Sequence, residues 1–456
     1  MDTLSRLRAI VGPAFVRADD ASLDAYGHDA LDIVHRPDVV VIPGTTEEVA
    51  SIARWCDETR TPLVVRGAGT GYTGGAVPTA GGVLLSMERF ARILEIDEEN
   101  LLAVVEPAVV TGVLQDAVEP RGLFYPPDPA SFRTSSIGGN VAECAGGPRA
   151  FKYGTTKRYV LGLEAVLATG EIIHTGSKTV KNVVGYDLTQ TIVGSEGTLA
   201  IITKVILRLV PKPPARGTVR ATFASIAAAA GAVTAILRAR VVPAALELID
   251  RDCIDTVAER TATRLGPEGT EALLLVEVDG TPAAVDEDRA QVEQACREAG
   301  ALEVRRAASE AERDALWAVR REISLALKAT GQKKVNHDVV VPRGRVPALF
   351  ALVADLKRTY RLRIPCFGHA GDGNIHVNLM FDRDDADAAR RAEQAARRLF
   401  EGVVALEGSI SGEHGIGFAK APYVGLELGA AEIALSRRLK AAFDPHGILN
   451  PGKIFG

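Results

Sequence analysis

The chain has 456 residues, of which 47% are hydrophobic and 24% are charged, and this balance is typical of a folded globular protein. Its formal net charge of −5 argues against the broad basic surface of a nucleic-acid-binding protein. The five cysteines are scattered and form no CxxC pair, which favours a reducing compartment over a disulfide framework. No signal-peptide pattern is evident, so the sequence predicts a cytoplasmic protein, either free or attached to the inner membrane through a partner.

Short β-branched runs alternate with glycine clusters in the first part of the chain, which predicts a domain of short strands. A helix is predicted over 46–57, capped by Thr45 or Thr46, and a shorter helix over 112–119. The proline-rich segment 211–216 predicts a domain boundary. The predicted strands before this boundary cover 39–43, 62–67, 82–86, 101–107 and 199–210.

After the boundary, longer helices alternate with strands, and this pattern predicts an α+β domain with a mostly antiparallel sheet. From about residue 408 glycines return, and the tail is too short to fold alone, so we expect it to pack back on the first domain. The expected domains are therefore 1–212, 213–407 and 408–456. The predicted helices cover 224–240, 281–299, 309–329, 344–359 and 384–405, and the predicted strands cover 244–250, 271–279, 335–341, 362–369 and 375–381.

The densest glycine cluster, residues 66–75, directly follows a predicted strand. Glycines permit positive φ and let backbone N–H groups converge on phosphate oxygens. The cluster neither opens a helix, as a Rossmann turn does, nor ends in the GK[ST] of a P-loop, and alone it could be a hairpin. Similar clusters lie at 135–156 and 184–203, where Ser136 and Asn140 offer hydrogen bonds to a planar heterocycle. The three clusters together predict a large phosphate-bearing cofactor.

Two glycine-flanked histidine motifs lie in the last quarter of the chain. In GHAGDGNIHVN the Asp-Gly-Asn centre predicts a tight turn, so that His369 and His376 end adjacent strands and converge. Asn378 falls on the same strand face as His376. The motif SGEHGIG places the carboxylate of Glu413 next to the imidazole of His414. Two imidazoles and a carboxylate predict a catalytic zinc or similar divalent ion, the alternative being ordinary polar residues near turns.

Several segments of the chain carry a family resemblance, namely PLVVRGAGTGYTGGAVP, PPDPAS, SIGGNVAECAGG, KYGTT with VLGLEAVLATGE, and GSEGTLAIIT. They resemble the FAD-binding domain of the vanillyl-alcohol oxidase and p-cresol methylhydroxylase superfamily. More narrowly, the chain is similar to the FAD-linked D-2-hydroxy-acid dehydrogenases, which include the glycolate oxidase flavin subunit, D-lactate dehydrogenase and D-2-hydroxyglutarate dehydrogenase. The resemblance implies an α+β fold, with a two-subdomain FAD-binding domain and an α+β substrate (cap) domain built on an antiparallel sheet.

The resemblance implies FAD, with its pyrophosphate on the 66–75 loop and its isoalloxazine near 127–154 and 194–202. No histidine lies in the glycine clusters, so we expect noncovalent FAD, with Cys144 as the alternative tether. The implied cofactor-binding residues are Arg66, Gly67, Ala68, Gly69, Thr70, Gly71, Gly74, Gly75, Pro127, Asp128, Ser131, Ser136, Gly138, Gly139, Asn140, Glu143, Gly146, Gly147, Tyr153, Gly154, Glu196, Gly197, Ile201, Ile202 and Asn450.

The resemblance also implies a metal site and a catalytic set. His369, His376 and Glu413 would hold a divalent metal, zinc first, with manganese or iron as alternatives. His414 would be the base that accepts the hydroxyl proton, and Arg320 would clamp the substrate carboxylate. A solvated role for Arg320, or its replacement by Arg321, stays open, and Lys420 adds charge nearby. The implied substrate-binding residues are Arg320, His369, His376, Asn378 and His414.

The substrate prediction depends on Asn336. The family's hydroxyglutarate enzymes carry a lysine shortly before the aspartate of a D-x-x-x-P strand, whereas Asn336 stands here, with Lys333 and Lys334 just upstream. This departure favours a short monocarboxylate over a dicarboxylate. The predicted reaction is oxidation of D-lactate to pyruvate, with glycolate and D-2-hydroxyglutarate as alternatives.

Two other functions stay open. An oxygen-using flavoenzyme of the same fold would not need the metal-type motifs, and a mainly structural or electron-transfer subunit of a larger glycolate oxidase complex would not need the complete residue set. The chain has no cysteine cluster and no haem motif, so electrons are expected to pass to a partner. That partner would be a quinone, a cytochrome, an electron-transfer flavoprotein or an iron–sulfur subunit, and a homodimer is a further expected arrangement.

Overall fold

A computed structural model of the chain describes residues 2–262 and 265–455. The described strands, numbered in chain order, are β1 Val16–Arg17, β2 Val39–Val41, β3 Leu63–Arg66, β4 Val83–Ser86, β5 Ile93–Asp97, β6 Leu102–Val105, β7 Leu123–Phe124, β8 Val160–Val166, β9 Ile172–Gly176, β10 Ile201–Arg208, β11 Val210–Pro211, β12 Ala215–Phe223, β13 Ala245–Asp250, β14 Ala272–Gly280, β15 Ala301–Arg306, β16 Lys333–Val340, β17 Cys366–His369 and β18 Asn374–Phe381. The described α-helices are α1 Thr3–Val11, α2 Asp20–Tyr26, α3 Thr46–Thr59, α4 Thr111–Val118, α5 Ile137–Glu143, α6 Ala150–Tyr153, α7 Leu188–Ile192, α8 Ile226–Arg238, α9 Arg251–Thr261, α10 Pro282–Glu298, α11 Glu310–Ala329, α12 Val346–Tyr360, α13 Ala386–Ala405, α14 Val424–Glu427 and α15 Ala430–Phe443.

Contacts between residues divide the chain into two compact units. The first unit contains Met1–Gly146, Thr155–Lys212 and Glu413–Gly456, and the second contains Gly147–Gly154 and Pro213–Gly412. The chain passes between the units at Lys212 and Pro213, inside the proline-rich segment. The three expected domains, 1–212, 213–407 and 408–456, stay a prediction.

The first unit contains two larger sheets and a short strand pair. The four-stranded sheet has the order β1-β2-β4-β3, and the five-stranded sheet has the order β5-β6-β10-β8-β9. β4 pairs in parallel with both β2 and β3, and α3 makes the crossover that such strands require. The predicted start of α3 is confirmed, because the Thr45 side chain accepts the Glu48 amide at 3.2 Å.

The C-terminal tail runs beside β3 in the first unit. The Leu63 amide donates to the Ile448 oxygen at 2.8 Å, and the Asn450 amide donates to the Leu63 oxygen at 2.9 Å. Leu449 is fully buried in the core of the four-stranded sheet. The tail therefore packs along the strand that leads into the 66–75 loop.

The second unit is built on one seven-stranded sheet with the order β15-β12-β14-β13-β17-β18-β16. Every neighbouring pair is antiparallel, which confirms the predicted type of sheet. Side chains alternate between its faces, so Leu246 and Leu248 pack with α8 and α10, while Ile249 and Phe367 pack with α9 and α11. Glu247 therefore shares the face covered by α9 and α11. No helix among the described residues is both long enough and apolar enough to cross a membrane.

Candidate active site

A buried carboxylate that the sequence analysis did not select joins two of the predicted site residues. Glu247 on β13 is fully buried and accepts hydrogen bonds from Arg320 Nε and His369 Nδ1, both at 2.5 Å. Burial alone raises the pKa of Glu247, but the charges and hydrogen bonds of Arg320 and His369 outweigh it and lower that pKa to about 2. The carboxylate is therefore ionised at neutral pH and fixes both partners.

The predicted histidine hairpin is confirmed. β17 and β18 pair so that Phe367 lies opposite His376 and His369 lies opposite Asn374. Both histidines are buried, and their ring centroids lie 5.3 Å apart with the planes nearly perpendicular at 86°. Because Nδ1 of His369 faces Glu247, Nε2 is the ring nitrogen directed away from that carboxylate. This carboxylate–histidine pair is typical of histidines that bind metals.

Helix α11 directs Arg320 at this cluster. Arg320 is buried, and its guanidinium lies over the Phe367 ring at 4.7 Å, whereas the neighbouring Arg321 is exposed. The Nε–H of Arg320 donates to Glu247. No described residue hydrogen-bonds the two terminal nitrogens of Arg320. Those two nitrogens form the planar fork that suits a carboxylate.

Asn378, a predicted substrate contact, is fully buried and hydrogen-bonded within the sheet. Its Nδ2 donates to the backbone oxygens of Pro365 at 3.1 Å and His376 at 3.2 Å, and its Oδ1 accepts Nδ2 of Asn336 at 2.7 Å. The amide group is thus used within the sheet, where it orders the strand that carries His376.

Lys334 lies two residues before Asn336, on the same face of β16. Its Nζ donates to Ser324 Oγ at 2.6 Å, and burial lowers the pKa of Lys334 to about 8. Ser324 follows Arg320 by one helical turn, so both lie on one side of α11. A second cation therefore stands on the Arg320 side of this helix.

Asp338 anchors the last residues of the second unit. It is fully buried, lies opposite His376 in the β16–β18 register, and accepts the Gly412 amide at 3.0 Å. The Ser411 hydroxyl lies 3.4 Å from its other oxygen. Glu413 is the next residue in the chain and begins the return to the first unit. Asp338 is the aspartate of the D-x-x-x-P strand, and its role as an anchor was not predicted from the sequence.

The glycine loop in the first unit presents backbone donors. No described residue accepts a hydrogen bond from the amides of residues 67–71. Two side chains anchor the loop. Asp29 accepts the Gly74 amide at 2.9 Å. Arg66 donates to the backbone oxygens of Tyr26 and His28. Burial raises the pKa of Asp29. Uncommitted amides on a glycine loop are the donor set that a phosphate requires.

Several predicted cofactor residues hold the surrounding protein in place. Ser136 caps α5 through the Gly139 amide at 3.4 Å, and Asn140 Nδ2 donates to Thr111 Oγ1 at 2.6 Å. Asn450 Nδ2 donates to the backbone oxygens of Gly75 at 2.8 Å and Glu196 at 2.6 Å, which joins two of the glycine segments.

Three more predicted cofactor residues, Gly147, Tyr153 and Gly154, belong to the second unit. There the Tyr153 hydroxyl donates to Asp279 at 2.6 Å, and Lys152 also binds Asp279.

Glu413 and His414 pack among the glycine segments of the first unit. A Cβ at position 146 would lie 2.6 Å from a Glu413 oxygen, so glycine there admits the carboxylate. Nε2 of His414 lies 3.9 Å from the other Glu413 oxygen, and the His414 ring lies 5.3 Å from the Tyr72 ring. The imidazole and the carboxylate therefore stand beside the predicted phosphate loop.

Comparison with known proteins covers most of the chain. The family model described as "FAD linked oxidases, C-terminal domain" matches residues 212–454, and the model described as "FAD binding domain" matches residues 37–176. The chain is 43% identical over 455 residues to glycolate oxidase subunit GlcD of Bacillus subtilis strain 168, covering 100% of this chain and 97% of that one. It is 34% identical over 453 residues to D-lactate dehydrogenase of Anaerostipes hadrus, covering 97% and 95%.

Solved structures share the fold at lower identity. p-Cresol methylhydroxylase with substrate bound superposes with a TM-score of 0.83 at 20% identity, covering 99% of this chain and 96% of that one. 4-Ethylphenol oxidase from Gulosibacter chungangensis gives a TM-score of 0.81 at 21% identity, with coverage of 99% and 96%. The chain therefore belongs to the FAD-linked oxidase family and is an FAD-dependent oxidoreductase with the p-cresol methylhydroxylase-type fold.

Proposed function

We propose that the protein oxidises a D-2-hydroxy acid to the 2-oxo acid, with D-lactate preferred, and passes the electrons to an acceptor other than oxygen. The observation that carries this proposal is the buried cluster of Glu247, Arg320, His369 and His376. It places a guanidinium fork for a carboxylate beside two imidazoles that suit a divalent ion. The relatives named glycolate oxidase subunit and D-lactate dehydrogenase add support for a small 2-hydroxy acid.

His369, His376 and Glu413 would hold the divalent ion, with zinc as the first choice and manganese or iron as alternatives. The donor set fits, because Glu247 fixes the proton of His369 on Nδ1 and leaves Nε2 as the ligand atom. The Gly412 amide is anchored on Asp338, which limits where Glu413 can reach. When bound, such an ion supplies a Lewis acid that lowers the pKa of a substrate hydroxyl.

FAD would bind noncovalently in the first unit, with its pyrophosphate on the amides of residues 67–71. The free donor capacity of those amides fits two phosphate groups. When bound, FAD supplies a two-electron acceptor. The remaining predicted cofactor residues would surround its other parts, either directly or by holding the glycine segments in place.

The protein's own groups then have separate tasks. Arg320 binds and orients the substrate carboxylate through its two terminal nitrogens. His414 accepts the hydroxyl proton on a ring nitrogen, and the carbonyl would form as the Cα hydrogen leaves with two electrons for the acceptor that FAD supplies. Asn378 and Asp338 hold the strands that carry the histidines.

A second candidate substrate class is a 2-hydroxy dicarboxylate such as D-2-hydroxyglutarate. Lys334 favours it, because this half-buried cation contacts Ser324 one turn beyond Arg320 on α11. Asn336 weighs against it, because its amide is neutral and is committed to Asn378. A third candidate, glycolate oxidation within a multi-subunit complex, follows the name of the GlcD relatives.

The electron acceptor would be a quinone, a cytochrome, an electron-transfer flavoprotein or an iron–sulfur subunit. The protein would act in the cytoplasm, alone, as a homodimer or beside the membrane through such a partner. The predicted boundaries near 212 and 407 would separate the flavin, substrate and C-terminal parts.

The test is steady-state turnover of FAD-loaded protein with an artificial electron acceptor, using D-lactate, L-lactate, glycolate and D-2-hydroxyglutarate. We expect kcat/KM to be highest for D-lactate and at least about tenfold lower for L-lactate. A preference for D-2-hydroxyglutarate would replace the first candidate with the second. Equal turnover of both lactate enantiomers would contradict a site that fixes the substrate by its carboxylate and hydroxyl together.

A further inference from the structure

Two side chains of the first unit hydrogen-bond to the backbone of the turn that carries His414. Glu196 is only 5% exposed, and its two carboxylate oxygens accept the backbone amides of Ile416 at 2.6 Å and Gly417 at 2.7 Å. From the other side, the Thr73 hydroxyl donates to the backbone oxygen of His414 at 3.1 Å. Three hydrogen bonds therefore fix a backbone segment of four residues.

Thr73 and Glu196 both belong to segments that are predicted to bind the cofactor. Thr73 lies in the 66–75 loop, and its backbone oxygen also accepts the amide of Phe418 at 3.1 Å. Glu196 lies in the GSEG segment, and its backbone oxygen accepts the side chain of Asn450 at 2.6 Å. The hydrogen bonds of Glu196 and Thr73 to the His414 turn, called the clamp below, thus connect segments that are more than 100 residues apart in sequence.

The backbone conformations of Gly415 and Glu196 show that there is little free space around this turn. Gly415 has a φ of +77°, and a Cβ there would collide with the carboxylates of Glu143 and Glu196. Glu196 itself has a φ of +53°, which is uncommon for a residue with a side chain. A non-glycine residue in this region is retained only where its surroundings over-determine it, and such residues concentrate at functional sites.

We propose that Glu196 and Thr73 are positioning residues that hold the His414 imidazole in a fixed place relative to the phosphate-binding loop. The inference rests on the proposed role of His414 as the base. His414 precedes the two clamped amides by only two and three residues, so a shift of the turn moves the ring with it. A displacement of about 1 Å in a catalytic group costs about 100-fold in rate.

Conservative variants separate the clamp from the rest of the fold. Glu196→Gln keeps the side-chain size but places an NH₂ group against one of the two amides, so one acceptor is lost. Thr73→Val removes the hydroxyl at nearly constant shape, and Thr73→Ser restores it. Glu164→Gln is the matched control, because Glu164 is a buried glutamate of the same unit that accepts the hydroxyls of Thr46 at 2.8 Å and Thr203 at 2.9 Å.

The experiment uses the FAD-loaded full chain and measures two half-reactions separately. We expect anaerobic flavin reduction by D-lactate to slow by about 10- to 100-fold in Glu196→Gln and Thr73→Val. Rates are expressed per bound flavin, because Glu196 and Thr73 lie in segments predicted to bind FAD, and reoxidation of the reduced flavin by an artificial acceptor should stay at the wild-type rate. Thr73→Ser and Glu164→Gln should reduce at close to the wild-type rate. Hydrogen–deuterium exchange of the peptide 413–420 should quicken only in the two slow variants.

The outcomes separate this inference from the proposed function. Wild-type reduction rates in Glu196→Gln and Thr73→Val, with quicker exchange in 413–420, would overturn the positioning role. An equal slowing of reduction and reoxidation, per bound flavin, would assign these hydrogen bonds to general structural support and would overturn the positioning role as well. If no 2-hydroxy acid reduces the wild-type flavin, or if His414→Ala reduces at the wild-type rate, the proposed function is what fails.

Discussion

Glu247 and His369 face each other directly across the β13–β17 pair and are joined by a 2.5 Å hydrogen bond. The bond places the His369 proton on Nδ1, so Nε2 is the nitrogen that can act as a ligand. The second oxygen of the same carboxylate holds Nε of Arg320. One buried group thus orients both a candidate metal ligand and the candidate substrate clamp.

Glu247→Gln should weaken zinc binding by about 10- to 100-fold, because glutamine cannot accept from both His369 and Arg320. The measurement is a competition titration of FAD-loaded protein with a zinc chelator. Glu277→Gln is the control, because Glu277 is a buried glutamate on the neighbouring strand that accepts the Thr218 hydroxyl at 3.5 Å. Equal zinc affinity in wild type and Glu247→Gln would contradict the orienting role.

The same variant should change the response of stability to acid. The pKa of Glu247 is lowered from 4.5 to about 2, so its ionised form stabilises the fold fully above pH 4.5. This contribution is lost as the pH falls from 4.5 towards 2. Removing one partner of a buried ion pair costs about 3–5 kcal/mol.

Urea unfolding of metal-free protein at several pH values measures both effects. We expect Glu247→Gln to be less stable than wild type at pH 6 and to lose less stability between pH 4.5 and pH 2. Parallel curves for the two proteins across that interval would show that the Glu247 carboxylate does not contribute in this way.

Arg320→Lys should raise KM for D-lactate by about 10- to 100-fold, because an ammonium group cannot replace a planar fork and each charged hydrogen bond contributes about 1.5–3 kcal/mol. Arg321→Lys should leave KM within about twofold, because Arg321 is exposed whereas Arg320 is buried. Initial-rate kinetics on the two variants decide between the neighbours. A rise in KM confined to Arg321→Lys would show that Arg321, and not Arg320, binds the substrate carboxylate.

Acid precipitation of the FAD-loaded protein should release all of the flavin into the supernatant. The thiol that could tether the flavin is that of Cys144, the residue that follows α5, which has a φ of +56°. Its Sγ lies 3.3 Å from the Thr155 hydroxyl. Flavin absorbance in the supernatant and in the pellet measures the result. Flavin retained in the pellet by wild type, and released by Cys144→Ser, would establish a cysteine tether instead.

Local patterns predicted the parts of the site that are close in sequence. The turn between His369 and His376 spans a few residues, so glycine spacing and strand alternation were sufficient to place the two rings together. Glu247 lies 122 residues before His369, in a strand whose sequence does not reveal its neighbour. Only the β13–β17 pairing brings the two together, and periodicity within one segment cannot specify such a pairing.

The same reason explains the missed elements of the fold. α9 buries Cys253, Ile254, Thr256 and Val257 among charged residues, so its apolar face is weak in the sequence. β12 carries Arg216 and Arg220 within its strand and was not predicted. Asn378 was placed on the correct strand face, but the hydrogen bonds that occupy its amide come from other segments.

The most direct test is anaerobic mixing of the FAD-loaded, zinc-loaded protein with D-lactate while the flavin absorbance is recorded. We expect complete bleaching of the flavin bands in wild type. We also expect bleaching to slow by about 100-fold or more in His414→Ala, with the same amount of bound FAD, because a positioned base contributes about 10²- to 10⁴-fold. Wild-type protein that is not bleached by D-lactate, glycolate or D-2-hydroxyglutarate, or a His414→Ala variant that bleaches at the wild-type rate, would contradict the proposed function.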